Sequence, residues 1–180
     1  MQERGYATPA RLLHRGMAIL IVATIPAGFV MVQQGIPRGV QDTLYIYHKN
    51  VGVLLLGLVI LRLLWRWRHP APPLPSHLQP VQALMARLTH GALYLLLLVM
   101  PVAGYIRVKA GGFPIESLDA MGVLSLVARS DALAETAKAL HLVGGVTIAV
   151  VLAMHIGAAL LHGVVLRDGV FQRMWPPFGR

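Results

Sequence analysis

The stretch from Lys138 to Arg167, KALHLVGGVTIAVVLAMHIGAALLHGVVLR, is long and apolar enough to lie in lipid, yet it carries His141, His155 and His162. Inside a bilayer every backbone polar group has to be satisfied by the segment itself, so a run of this kind folds as a spanning helix. An imidazole in such a span is costly and marks a functional candidate. His141 and His155 are fourteen residues apart, almost four whole turns. They therefore share one stripe, separated by roughly 21 Å along the axis, with Ile148 midway between them. Two imidazoles on one stripe, one toward each membrane face, point to two stacked cofactors and require a partner for each from the rest of the chain.

Three further apolar runs precede this one. The expected spans are residues 11–32, 44–67, 81–106 and 136–166. A hydrophobic fraction of 56% and a charged fraction of 13%, about half the ~25% of soluble proteins, leave no room for a water-soluble domain. The expected fold is all-α: one integral membrane domain over residues 1–180, a four-helix bundle with both termini on one side. Thr8-Pro9 reads as the cap and first turn of the first helix. Its basic start imitates a secretory signal, but no A-x-A-like site follows, so the run reads as an uncleaved span. Pro26 lies inside this helix and is expected to kink it. Asp42 or Thr43 is the expected cap of the second, Ser130 or Asp131 starts the fourth, and Gly169 follows its end as a C-cap. Between the third and fourth spans, MGVLSLVA reads as a short interfacial helix.

The absence of cysteine excludes disulfides, iron–sulfur clusters, thiolate haem ligation and covalent haem attachment. The formal charge of +9 is better read as topology than as nucleic-acid binding. Arg4, Arg11, Arg15, Arg62, Arg66, Arg68, Arg87, Arg167, Arg173 and Arg180 fall on the side of the termini. Arg38, Lys49, Arg107, Lys109, Arg129 and Lys138 fall on the other, with Asp42, Glu116, Asp119, Asp131 and Glu135. The excess of cations places both termini of this multi-pass membrane protein in the cytoplasm.

That topology sorts the histidines by depth. His48 and His141 lie toward the outer face, His14 and His155 toward the inner. Haem iron takes one imidazole on each side of the porphyrin, and neighbouring helices of a bundle can supply them. Gly16, Gly52, Gly144, Gly145 and Gly157 lie near these histidines and could leave space for a macrocycle, although small residues also serve close helix packing. Intramembrane histidines can also act as helix–helix hydrogen-bond partners. A transition-metal path would add carboxylates or thiols, and no Asp or Glu lies within the spans. For the inner site His162 and His90 are rivals. His162 matches His14 in depth at least as well as His155 does, but lies roughly 21 Å from Ile148, beyond a ~15 Å half-thickness of hydrocarbon. His69 and His77 flank the proline-rich HPAPPLP linker and read as solvated residues.

In their order and spacing, the motifs ARLLHRGMA, YHKNVGVLLLGLVILRLLWRWRHPAPPLP, ARLTHGALYLLLLVMPVAGY, ALHLVGG, LAMHIGAALLHG and LRDGVFQRMWP resemble the bacterial cytochrome b561 proteins over nearly the whole chain. The resemblance implies two haem b groups held by His14, His48, His141 and His155, and it is this likeness that prefers His155 to His162. It leaves His90 and His162 as propionate or quinone contacts near the inner haem. It also implies superoxide oxidase activity: superoxide oxidised at the periplasmic side and ubiquinone reduced. Lys49, Arg38, Arg107, Lys109 and Lys138 are candidates for steering the superoxide anion, against the plainer reading that they anchor the protein at the interface. The alternatives are an electron carrier between the quinone pool and a periplasmic partner protein, and a structural membrane subunit that binds no haem.

Overall fold

The computed structural model describes residues 5–175; Arg4, Arg180 and the end of the basic aromatic tail lie outside them. Among the described residues the fold is all-helical. Four helices are long and apolar enough to cross a membrane: α1 (Thr8–Val30), α2 (Arg38–Arg68), α3 (Pro80–Ala110) and α5 (Asp131–Leu160), the last continuing as a π-helix, Leu161–Leu166. A short helix, α4 (Glu116–Ala120), sits in the connection between α3 and α5, and a 3-10 turn, Phe171–Arg173, follows the π-helix.

Several helix starts differ from the sequence expectation, each for a local reason. Thr8 is the first helical residue and not the cap, which is Ala7 without a side-chain bond. Proline in the first turn removes one of the N–H groups that a cap would serve. α2 begins at Arg38, so Asp42 and Thr43 lie inside it. There Asp42 pairs with Arg38 one turn back at 3.1 Å, and the Thr43 hydroxyl donates to the Gly39 carbonyl at 2.8 Å. Ser130 caps α5 by accepting from the Leu133 N–H. The short helix of the α3–α5 connection lies before MGVLSLVA, at Glu116–Ala120. Its acids put Glu116 and Asp119 in the first turn, where the helix dipole favours them. At the end of the fourth span Arg167 is itself left-handed, with φ 52°, and Gly169 follows with φ 86°.

α1 packs on α2, α2 on α3, and α3 on α5. Among the described residues α5 makes no extended approach to α1 or α2. A slot therefore runs between the α1–α2 wall and α5. Met17, Ile21, Leu55 and Val59 form a buried cluster that joins α1 to α2, with Tyr94, Leu97, Leu98 and Leu152 packed against it. On α2, Leu55 and Val59 fall between His48 and Arg62, so this apolar layer separates the two ends of the slot. Most other large apolar side chains face outward. That pattern suits lipid, where helices associate by close packing and not by hydrophobic burial.

The end of the bundle that carries the termini is tied together by arginine. Arg11 Nε donates to the Arg173 carbonyl at 3.2 Å, and Arg173 Nη2 donates to the Pro73 carbonyl at 2.7 Å. Arg15 Nη2 donates to the Met174 carbonyl at 2.7 Å. These bonds join α1, the proline-rich linker and the C-terminal turn. The α3–α5 contact rests on Gly144, where a Cβ would collide with the Met100 sulfur. Gly144→Val should therefore overpack this interface and lower stability by about 1–3 kcal/mol. Gly57→Ala, which meets open space, should leave the midpoint of thermal unfolding in detergent unchanged or slightly higher.

Candidate haem sites

Two imidazole pairs face each other across the slot. Toward the end that carries α4, His48 of α2 meets His141 of α5, with ring centroids 5.9 Å apart and an interplanar angle of 78°. Toward the terminal end, His14 of α1 meets His155 of α5 at 6.2 Å and 60°. Imidazoles bound to opposite faces of one iron stand roughly 6 Å apart between centroids, from two metal–nitrogen bonds of about 2 Å and the distance from each nitrogen to its ring centre. Both separations fit.

The loop-end pair is also fixed in tautomer. His48 Nδ1 lies 3.0 Å from the Thr24 carbonyl of α1, and His141 Nδ1 lies 3.1 Å from the Met100 carbonyl of α3. A carbonyl can only accept, so Nδ1 carries the proton in each ring and Nε2 is left as the metal-binding nitrogen. The two anchors are built alike. Each carbonyl lies one turn before a glycine, Thr24 before Gly28 and Met100 before Gly104, with Pro26 and Pro101 between. The imidazole lies over the bare glycine. A Cβ at Gly28 would meet His48 Cε1 at 2.6 Å, and one at Gly104 would meet His141 Cε1 at 3.1 Å. Sequence reasoning looked for space on the histidines' own helices and missed these two glycines on their neighbours. The signal was present in the paired segments TIPAG and MPVAG near the loop ends of the first and third spans.

Beside this pair lies a cavity of about 950 Å³, at the upper end of the ~300–1,000 Å³ typical of small-molecule sites. Gly52 lines it and has open space where a side chain would be. Its rim carries Arg38, Lys49, Arg107, Arg129 and Lys138, opposed by Asp42, Glu116, Asp131 and Glu135. Lys49 is largely buried and donates to Glu116 and to the Pro114 carbonyl, both at 2.7 Å. Asn50 Nδ2 donates to the other Glu116 oxygen at 2.8 Å, and its Oδ1 accepts from the Ser117 N–H at 2.8 Å. Lys109 pairs with Asp119. These bonds fasten α4 over the loop end of α2 and α3. Burial alone would raise the Glu116 carboxyl, but the hydrogen bonds from Lys49, its own N–H and Asn50 outweigh that and hold it below its usual range. For Asp119 the hydrogen bond from Lys109 is the main cause of the same shift. Arg38 pairs with Asp42 and Lys138 with Glu135. Among the described residues no carboxylate pairs with Arg107 or Arg129.

The terminal-end pair has different surroundings. His90 of α3 also approaches His155, at 5.4 Å and 70°, closer than two imidazoles sharing an iron would stand. Arg62 Nε donates to the Tyr94 hydroxyl at 3.1 Å, and the guanidinium groups of Arg62 and Arg66 lie 5.7 and 5.4 Å from the Tyr94 ring. Gly16, Gly91 and Gly157 have open space beside them. Two buried nitrogens of Arg15, Nε and Nη1, have no hydrogen-bond partner. Unpaired guanidinium donors beside His14 suit an anionic group such as a carboxylate. His162 is not part of this pair: it bonds Asp168 through Nδ1 at 2.6 Å. His77 is also joined to that carboxylate, through Nε2 at 3.5 Å.

Residues 5–177 match the family model of prokaryotic cytochrome b561. The chain is 34% identical over 170 residues to cytochrome b561 homolog 2 of Escherichia coli (strain K12), covering 94% of this chain and 90% of that protein. It is 30% identical over 160 residues to the probable superoxide oxidase CybB of Yersinia pestis, covering 88% and 89%.

If the bare glycines seat the loop-end imidazoles, Gly28→Ala should displace His48 and remove one b-type haem signal from the reduced-minus-oxidised spectrum. Gly57→Ala, exposed and apart from both pairs, should leave the spectrum intact. An unchanged spectrum in Gly28→Ala would show that the close approach is not needed for ligation.

Proposed function

The chain belongs to the prokaryotic cytochrome b561 family, and from that premise we propose that it is a dihaem electron-transfer protein that oxidises superoxide on the periplasmic side and reduces ubiquinone. Family membership makes it a membrane b-type cytochrome. The two-haem reading rests above all on one observation: two imidazole pairs at two depths of one slot, the loop-end pair with both Nδ1 protons committed to backbone carbonyls; the superoxide reading draws on the likeness to a probable superoxide oxidase. His48 and His141 would hold the outer haem, His14 and His155 the inner. The separation of 6.2 Å supports His14 over His90 as the partner of His155. Haem held by two imidazoles supplies one-electron transfer with no open coordination position.

The chain's own residues give the two ends different work. The terminal end faces the cytoplasm by the positive-inside rule, and the loop end faces the periplasm. At the loop end the rim charges nearly balance, so any attraction for an anion is local. Lys49, Lys109, Arg38 and Lys138 each share their charge with a carboxylate. Arg107 lines the same cavity as His48 and His141 without such a partner, which makes it the stronger steering group. At the terminal end Arg62, Arg66, Trp65 and Tyr94 border a small pocket. His90 and His162 remain the candidate contacts there for a propionate or a quinone ring. The carrier reading also has an observation in its favour: Leu124 and Leu126, 84% and 88% exposed on the α4–α5 connection, would suit a periplasmic partner protein.

The spectrum tests the ligands. His141→Ala should remove the outer haem signal and His155→Ala the inner one. Loss of the inner signal in His162→Ala or His90→Ala, with retention in His155→Ala, would overturn the pairing. The reaction is tested by supplying superoxide and a short-chain ubiquinone to the purified protein. Rapid haem reduction followed by ubiquinol formation without a partner is expected; haems that respond only to an added partner protein would establish the carrier. In the same assay Arg107→Gln should slow superoxide-driven haem reduction several-fold at low salt and by less at high salt, where steering is screened. A salt-independent rate equal to that of the unaltered protein would exclude steering by Arg107.

A further inference from the structure

The α4–α5 connection carries apolar side chains that the rest of the chain leaves uncovered. Residues 121–128, MGVLSLVA, hold no charge and lie between Asp119 and Arg129. The run is not helical, and its side chains turn outward: Met121 is 67% exposed, Leu124 84% and Leu126 88%. Large apolar residues gathered on a surface mark a place where something other than water belongs.

The depth of the run says what that is. α4 sits at the loop end, fastened by Lys49, Asn50 and Lys109. The left-handed Gly122, with φ 69°, lets the chain leave α4 and turn down along α3. There the Leu126 N–H donates to the Tyr105 hydroxyl at 2.9 Å. Tyr105 precedes the end of α3 at Ala110 by more than a turn, roughly 7.5 Å along the axis. Side chains on a helix lean toward its N-terminus, so the ring points further from the loop end. The chain then climbs back, and the Ser130 N–H donates to the Ala110 carbonyl at 2.9 Å. The connection thus dips below the end of the helix beside it. Tyr105 also stands just before Arg107 and Lys109, at the edge of the apolar part of α3, where aromatic rings border hydrocarbon. One turn deeper Val102 is already exposed on the outside of the same helix.

The backbone of the dip is made ready for that setting. The N–H groups of Met121, Gly122 and Val123 donate to the carbonyls of Ser117, Asp119 and Leu118. Ser125 turns its hydroxyl back on the run: Oγ donates to the Val127 carbonyl at 2.7 Å and accepts from the Val127 N–H at 3.3 Å. Backbone groups bonded in this way lower the cost of leaving water.

We propose that residues 121–127 are a membrane-surface anchor. Leu124 and Leu126 insert into the boundary between headgroups and acyl chains in the leaflet at the loop end, and Tyr105 tethers them at that depth. A water-soluble partner protein fits less well, because it would have to reach past the end of α3 to touch Leu126. Tyr105 and Arg129 also line the cavity beside His48 and His141, so the anchor fixes one edge of its mouth at the membrane surface.

The chain has no cysteine, so Leu124→Cys and Leu126→Cys each provide a single site for a polarity-sensitive fluorophore. The labelled full-length protein is placed in phosphatidylcholine vesicles. Two quenchers report on the surroundings: iodide in the water, and a nitroxide carried near the top of the lipid acyl chain. Gln34→Cys, in the exposed α1–α2 connection at the same end, is the water reference. Leu95→Cys, on the exposed side of α3 at its middle, is the lipid reference. The labels on Leu124→Cys and Leu126→Cys should be quenched by the lipid nitroxide and be several-fold less sensitive to iodide than the label on Gln34→Cys. Should one of the two fail to assemble in the membrane, the other carries the same expectation. Adding Tyr105→Phe should raise the iodide sensitivity of the Leu124→Cys label; no change would remove Tyr105 as the tether. Iodide quenching equal to that of Gln34→Cys, with none from the lipid, would overturn the insertion. Protection from iodide that appears only when periplasmic proteins are added would overturn it in favour of a protein partner.

Discussion

Both nitrogens of an imidazole need an occupation inside a membrane, and the helix that carries the ring cannot supply either. This requirement organises the loop end of the bundle. Nδ1–H of His48 goes to a carbonyl of α1, and that of His141 goes to a carbonyl of α3. A helical carbonyl already bonded within its own helix still has a second lone pair, so it can accept without breaking the helix. What it lacks is access, because a side chain one turn on would cover it. Gly28 and Gly104 remove that cover. The same two contacts fix which nitrogen faces the slot, the angle of each ring, and the distance at which α1 stands from α2 and α3 from α5. The imidazole pairs thus depend on all four spanning helices, α3 giving His141 its carbonyl and His155 a further neighbour in His90.

The two ends then diverge for reasons of charge. At the loop end the cations are matched almost one to one by carboxylates, and two of those pairs hold α4 in place. The terminal end has arginines with few acids. Arg11, Arg15 and Arg173 are spent on backbone carbonyls, and Arg62 and Arg66 on the Tyr94 ring and hydroxyl. Guanidinium suits this use because its fork can serve several carbonyls while its face covers an aromatic ring. Among the described residues one carboxylate is present there, Asp168, and two histidines approach it.

Much of this was legible in the sequence because it depends on period and order alone. Four apolar runs, the common stripe of His141 and His155, and the depth of His14 and His48 follow from helix geometry and alternating direction. What stayed hidden depends on which helices become neighbours. Gly28 and Gly104 matter only because α1 lies beside α2 and α3 beside α5. The Lys49–Glu116 pair closes over 67 residues, and no local pattern announces it. His77 reads as a solvated linker residue until the chain reversal at Arg167 carries Asp168 to it. The start of α2 was missed for a smaller reason: Pro37 opens the helix well before the apolar run begins, so a search for the hydrophobic edge finds the membrane boundary and not the helix boundary. The choice between His155 and His162 shows the limit most clearly, since spacing allows both, and it takes the folded chain to set His155 against His14 and His162 against Asp168.

That distinction bears on how a single helix can give its histidines two kinds of partner. His141, His155 and His162 lie on nearly one stripe, and an isolated helix would treat them alike. Their neighbours do not. A backbone carbonyl anchors His141 through Nδ1 but carries no net charge, so it orients a neutral ring suited to a metal. A carboxylate anchors His162 through the same nitrogen and holds it away from the paired rings. The left-handed Arg167 is what allows the second arrangement, because a helix continued through it would carry Asp168 onward and away from the ring. One left-handed residue after the last turn therefore gives the last histidine of the stripe a charged partner.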